Sequence, residues 1–223
     1  MTRRDGSGPG MVAGRLAGVR PFDWFILVNI ALSGVMVAAV YYPTLGGHVG
    51  GGGRYFSYLL LFVGLAVPVW GWLRRFDYPT WLLVALEAGI LLHFAGGGLE
   101  IDSLRLYDQV FFGVRFDKYV HFYNSLVGAL GVRSLLRQRG IRFGGCESLV
   151  LVSCTLGLGA VVEMVEYAGF VIAGATGMGD YANNMQDLLA NVLGSTTAVA
   201  ALRLARAGVA STAGLDAVTA SED

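Results

Sequence analysis

Charge is what this 223-residue chain has least of. Only 14% of its residues are Asp, Glu, Lys or Arg, against about 25% in an ordinary soluble domain. That scarcity excludes a normal water-facing surface. Sixteen basic residues against sixteen acidic ones give no net charge, which excludes the basic excess of a nucleic-acid binder. Cysteine is nearly absent as well. Cys146 lies in a basic loop and Cys154 in an apolar run, and eight residues of helix hold them roughly 12 Å apart, too far to bridge. Both read as free thiols, and no disulfide framework is available.

What remains is apolar. Hydrophobic residues make up 55% of the chain, the mean hydropathy is +0.59, and there are 33 glycines. This is the composition of a polytopic membrane protein, in which small residues let helix backbones approach closely. A span needs about 20 mostly apolar residues. Stretches 22–42, 56–73, 79–95, 148–173 and 183–204 meet that need, and 119–136 joins them as a more polar span facing the protein interior. The first stretch is long enough to remain as an anchor and not be cleaved as a signal. The expected fold is therefore all-α, a six-helix membrane bundle over 21–206. A cytoplasmic tail over 1–20 precedes it, and a disordered polar tail over 207–223 follows.

Arginine placement tests this map. With the N-terminus inside, the inner segments carry Arg3, Arg4, Arg15, Arg20, Arg74, Arg75, Arg133, Arg137, Arg139, Arg142, Arg203 and Arg206, and the outer ones only Arg54, Arg105, Arg115 and Lys118. Twelve against four satisfies the positive-inside rule and predicts both termini in the cytoplasm. Two outer connections stand apart. The glycine-rich 46–53 reads as a flexible loop, and 99–116, where acidic, basic and aromatic residues alternate, reads as a short amphipathic helix at the interface.

Ionisable groups in lipid are costly and mark functional sites by default. Asp117, His121 and Asn124 lie four and three residues apart and share one helix face. Glu163 and Glu166 do so on the fifth span, and Asp180, Asn184, Asp187 and Asn191 form a stripe on the sixth. His93 ends the third span on the same side of the membrane. These faces are expected to line one acidic pocket open to the outer side. Glu163 and Glu166 are the candidate catalytic groups, and His93, His121, Glu166 and Asp187 the candidate ligands of a divalent metal.

The motifs bear a family resemblance. Asp117-Lys118-Tyr119-Val120-His121-Phe122 resembles the DK-x-x-HF opening of VanZ-like membrane proteins, and Asp187 to Gly194 resembles their D-x-x-x-N-x-x-G close. Glu163 falls at their intramembrane glutamate. His93-Phe94-Ala95-Gly96-Gly97 resembles the H-x-x-GG of YjdF-like inner-membrane proteins. Glu166 stands where VanZ-like chains commonly carry Gln, and no Arg precedes the final motif. The resemblance implies an envelope protein of the inner (plasma) membrane.

Three functions fit these residues. The pocket binds or handles a lipid-linked or polar envelope component, or a cation. Alternatively, a metal there serves an intramembrane hydrolase-like enzyme acting on a lipid, although no HExxH motif occurs. Or the polar faces form a structural core for a partner protein.

Overall fold

A computed structural model of the chain describes residues 18–36, 64, 67–173 and 181–219. The 46–53 loop, most of the span expected at 56–73, and Asp180 lie outside the described residues. Five long helices are described: α1 (Pro21–Met36), α2 (Thr80–Gly98), α3 (Phe116–Gln138), α4 (Glu147–Ala173) and α5 (Tyr181–Thr219). A further helical stretch over 67–73 leads into Arg74.

Local sequence explains the helix ends. Pro21 opens α1, where its missing N–H costs nothing. The carboxylate of Asp23 reaches back to accept the Arg20 backbone N–H at 3.0 Å, half of a capping box. At the end of α3, Gly140 takes φ +70°. There the Gly140 N–H donates to the Arg137 carbonyl and that of Ile141 to the Leu136 carbonyl, each at 2.9 Å, which is a Schellman closure.

Two expectations need correction. The stretch 99–116 is not an amphipathic helix. It forms two tandem two-stranded hairpins: β1 (Glu100–Ile101) with β2 (Leu104–Arg105), then β3 (Val110–Phe111) with β4 (Val114–Arg115). Asp102 and Ser103 in the first turn, and Phe112 and Gly113 in the second, all have positive φ. Such pairs of left-handed residues make the primed turns that match strand twist. The alternation of residue types belonged to strands two residues long. The second correction concerns the tail from 207, which continues as helix to Thr219. Its alanines and leucine add turns to a helix already nucleated.

Among the described residues, three helical stretches are long and apolar enough to cross a membrane, Thr80–Gly98, Gly144–Val165 and Tyr181–Gly208, while α1 carries a shorter apolar run, Pro21–Leu32. Helix α3 is 23 residues long and more polar, and several of its polar groups turn into the bundle. Asp117, Lys118 and Ser125 are buried, because α3 packs against α2, α4 and, most extensively, α5. Gly194 sets that last contact. A Cβ there would fall well inside the Phe122 carbonyl of α3, so the two backbones touch directly.

Arg20, Arg74, Arg133 and Arg206 lie at one end of the bundle. Arg20 donates to the Arg74 carbonyl at 2.8 Å, and Arg74 pairs with Asp23 at 3.0 Å. Gln138 at the end of α3 brackets the Asp77 backbone. Glu147, opening α4, receives Arg206 of α5 at 2.7 Å and Arg133 of α3 at 3.3 Å. Arg206 is nearly half exposed, so Glu147→Gln should cost no more than about 1 kcal/mol, read as a small shift in thermal unfolding. The hairpins lie at the opposite end, between α2 and α3.

Candidate functional site

At the hairpin end, α3, α4 and α5 bring polar groups together. Asp117 sits in the first turn of α3, where a carboxylate suits the helix dipole. His121 follows one turn later on the same face, as the spacing predicts. Its Nε2 stands 3.4 Å from Asp187 Oδ1 on α5 and 3.7 Å from Glu163 Oε1 on α4. Ligand atoms of His121, Glu163 and Asp187 all lie within 4.8 Å of one another. Asp187 is buried and the other two are half-buried.

Lys118 stands among them, and spacing alone did not single it out. It is buried, and its ammonium donates to Asp187 Oδ1 at 2.7 Å, Asp117 Oδ2 at 3.1 Å, and the side chain and carbonyl of Asn183 at 2.8 and 3.1 Å. Asn183 in turn donates to Asp187 Oδ2 at 2.9 Å. The amide that serves the site is thus Asn183, one turn before Asp187, and not Asn184, which is half-buried beside it. The groups pack against one another around the ammonium. They form a closed polar knot, where an open pocket was expected.

The remaining candidates divide. His93 on α2 is not part of the close cluster: its Nδ1 is bonded to the Tyr107 hydroxyl, from the turn Leu106–Asp108 between the hairpins. Asn124 faces α2, with its side-chain oxygen against the Gly89 backbone. Asn191 accepts from Ser125 at 2.7 Å and lies against Gly159 of α4. These two asparagines do the work of interhelical packing. Glu166 lies on α4 three residues beyond Glu163, and its side chain is outside the described residues, as is all of Asp180.

Two further polar features carried no sequence signal, because each uses one residue per element. Glu87 on α2 accepts from Asn29 on α1 at 2.6 Å. At the hairpins, Asp108 accepts from Arg105 at 2.9 Å and Arg115 at 2.6 Å, and Arg115 also reaches Asp117 at 3.3 Å. This links the hairpins to the knot.

Formal charge is not balanced at the knot. Asp117, Glu163 and Asp187 oppose Lys118 alone, a deficit of two positive charges with His121 neutral. Counting Arg105, Arg115 and Asp108 reduces the deficit to one. Asp117 Oδ1 and Glu163 Oε1 are buried with no hydrogen-bond donor among the described residues. Buried oxygens in that condition are expensive, and a cation between His121, Glu163 and Asp187 would satisfy that of Glu163.

A family model described as "Predicted membrane protein (DUF2238)" matches residues 24–208. No curated protein and no solved structure matches the chain.

Proposed function

Since the chain belongs to this family of predicted membrane proteins, we propose that it is a six-span protein of the inner (plasma) membrane holding a divalent metal between His121, Glu163 and Asp187. Both termini then lie in the cytoplasm and the hairpins outside. One observation carries the reading. The separations of 3.4 and 3.7 Å from His121 to the two carboxylates are long for hydrogen bonds. They are close to the roughly 3.3 Å between ligands that share a tetrahedral ion with bonds of about 2.05 Å. The acidic excess of the group supports it, because a cation would offset that excess. Lys118 and Asn183 would hold the Asp187 carboxylate in orientation, as outer partners do around metal sites.

An ion there would supply a Lewis acid able to activate water. Beside it, α4 and α5 form an apolar groove lined by Leu156, Ala160, Leu188 and Val192, and Ala160 lies one turn before Glu163. A lipid-linked envelope component is the substrate class this favours, its chain along the groove and its polar part at the ion. The order of Asp117, His121, Glu163, Asp187 and Asn191 keeps the resemblance to VanZ-like and YjdF-like chains within this reading.

Elemental analysis of protein purified in detergent and equilibrated with zinc or manganese tests it. About one ion per chain is expected, lost in both His121→Ala and Glu163→Gln while circular dichroism stays helical. His93→Ala, outside the close cluster, should keep the ion. Protein that takes up no ion, or folded variants that keep it, would overturn the reading.

A further inference from the structure

The two hairpins are built alike and tipped differently. Both close in the same way: the Leu106 N–H donates to the Leu99 carbonyl and the Phe116 N–H to the Gln109 carbonyl, each at 2.8 Å. Both end in an arginine that grips Asp108. The first tip, Asp102-Ser103, is polar, as a turn in water should be. The second is Phe112-Gly113, and Phe112 holds φ 52°, a backbone region that disfavours a bulky side chain. Its side chain is fully exposed, at 101%, and touches nothing among the described residues. Val110, Phe111 and Val114 around it are exposed too.

An aromatic residue on a strained backbone with no internal contact gains nothing within the fold. We infer that the second hairpin dips its tip, Phe112 with Val110, Phe111 and Val114, into the lipid interface beside the bundle. The bilayer is the occupant because the hairpins join the end of α2 to the start of α3, where membrane-length helices meet the headgroups. That end already carries exposed Tyr119 and Tyr181, the residue type that marks membrane boundaries. The Tyr119 hydroxyl donates to the Phe111 carbonyl at 2.8 Å, which fixes the hairpin to α3 at that level. Gln109 donates to the Ile101 carbonyl at 2.7 Å, so the hairpins hold together with one tip in lipid and the other in water. This reading is independent of the metal centre.

Spin labels test it in the full chain, with Cys146 and Cys154 replaced by serine and the protein reconstituted in phosphatidylcholine vesicles. Nitroxides are placed on Phe112→Cys and Val114→Cys, and on Ser103→Cys as the control. Collision with oxygen relative to a water-soluble nickel chelate should be about threefold higher or more at 112 and 114 than at 103. Equal, water-like accessibility at all three positions would overturn the inference. So would labels at 112 and 114 shielded from both reagents, which would put a protein partner there.

Discussion

Lys118→Met should lower stability by about 3–5 kcal/mol, a large share of the roughly 5–15 kcal/mol that holds a protein folded. The ammonium of Lys118 is buried against two carboxylates and both polar groups of Asn183. Methionine fills much the same volume, so packing is conserved and the loss isolates the charge. Asp187 would then lose its charged donor, leaving Asp117 with Arg115 as its one cationic partner among the described residues, in a medium of low dielectric constant. The double variant Lys118→Met with Asp187→Asn removes one of those carboxylates and should recover part of the loss, a coupling that only neighbours show. Unfolding in detergent, followed by circular dichroism, measures both. A Lys118→Met protein as stable as the parent would mean the knot is solvated. Because Lys118 also orients the Asp187 carboxylate, the single variant should in addition bind divalent metal about 10-fold more weakly or worse.

Gly194→Ala should do comparable damage by steric means, about 3 kcal/mol or more. The added methyl would meet the Phe122 carbonyl and approach the Leu126 amide. Both are backbone atoms of α3 and cannot swing aside as a side chain does. The helices must part or slide. Asp187 lies seven residues earlier on α5, about 10 Å along the axis, so the shift reaches the His121–Asp187 approach, and metal binding should fall with stability. Gly131→Ala is the control. Nothing lies within 4 Å of a Cβ there, and relieving a helical glycine should be neutral or stabilising. If both alanines behaved alike, α3 and α5 would not cross at Gly194.

Periodicity made the convergence of the knot legible. Asp117 and His121 share a face because they lie four residues apart, and opposing helix directions place Glu163 and Asp187 at a common level with them. The partners of these groups were hidden for distinct reasons. Lys118 follows Asp117 by one residue, a hundred degrees around the helix, and only its long stem carries the charge back to the acidic side. Asn183 and Asn184 are the same residue type side by side, so the choice between them depends on where α5 begins its turn. Asn124 and Asn191 had the right spacing for the site. Their neighbours, Gly89 and Gly159, bring other helices close enough to claim them. The hairpins were hidden because strands of two residues show too little alternation to separate from an amphipathic helix. Glu87 and Asn29 pair across α1 and α2 with one residue from each, and no pattern within a single segment reveals such a meeting.

Fifteen of the sixteen basic residues are arginines, which leaves Lys118 as the chain's one primary amine on a side chain. That amine is buried and committed to hydrogen bonds in the folded bundle. Any α-amino group aside, and with Cys146 and Cys154 blocked first, an amine-selective acylating reagent in water has one target, and it reaches that target only when α3 and α5 part at the hairpin end. The acylation rate at Lys118 therefore reports opening of the knot without any engineered label, in the way that amide exchange reports local unfolding.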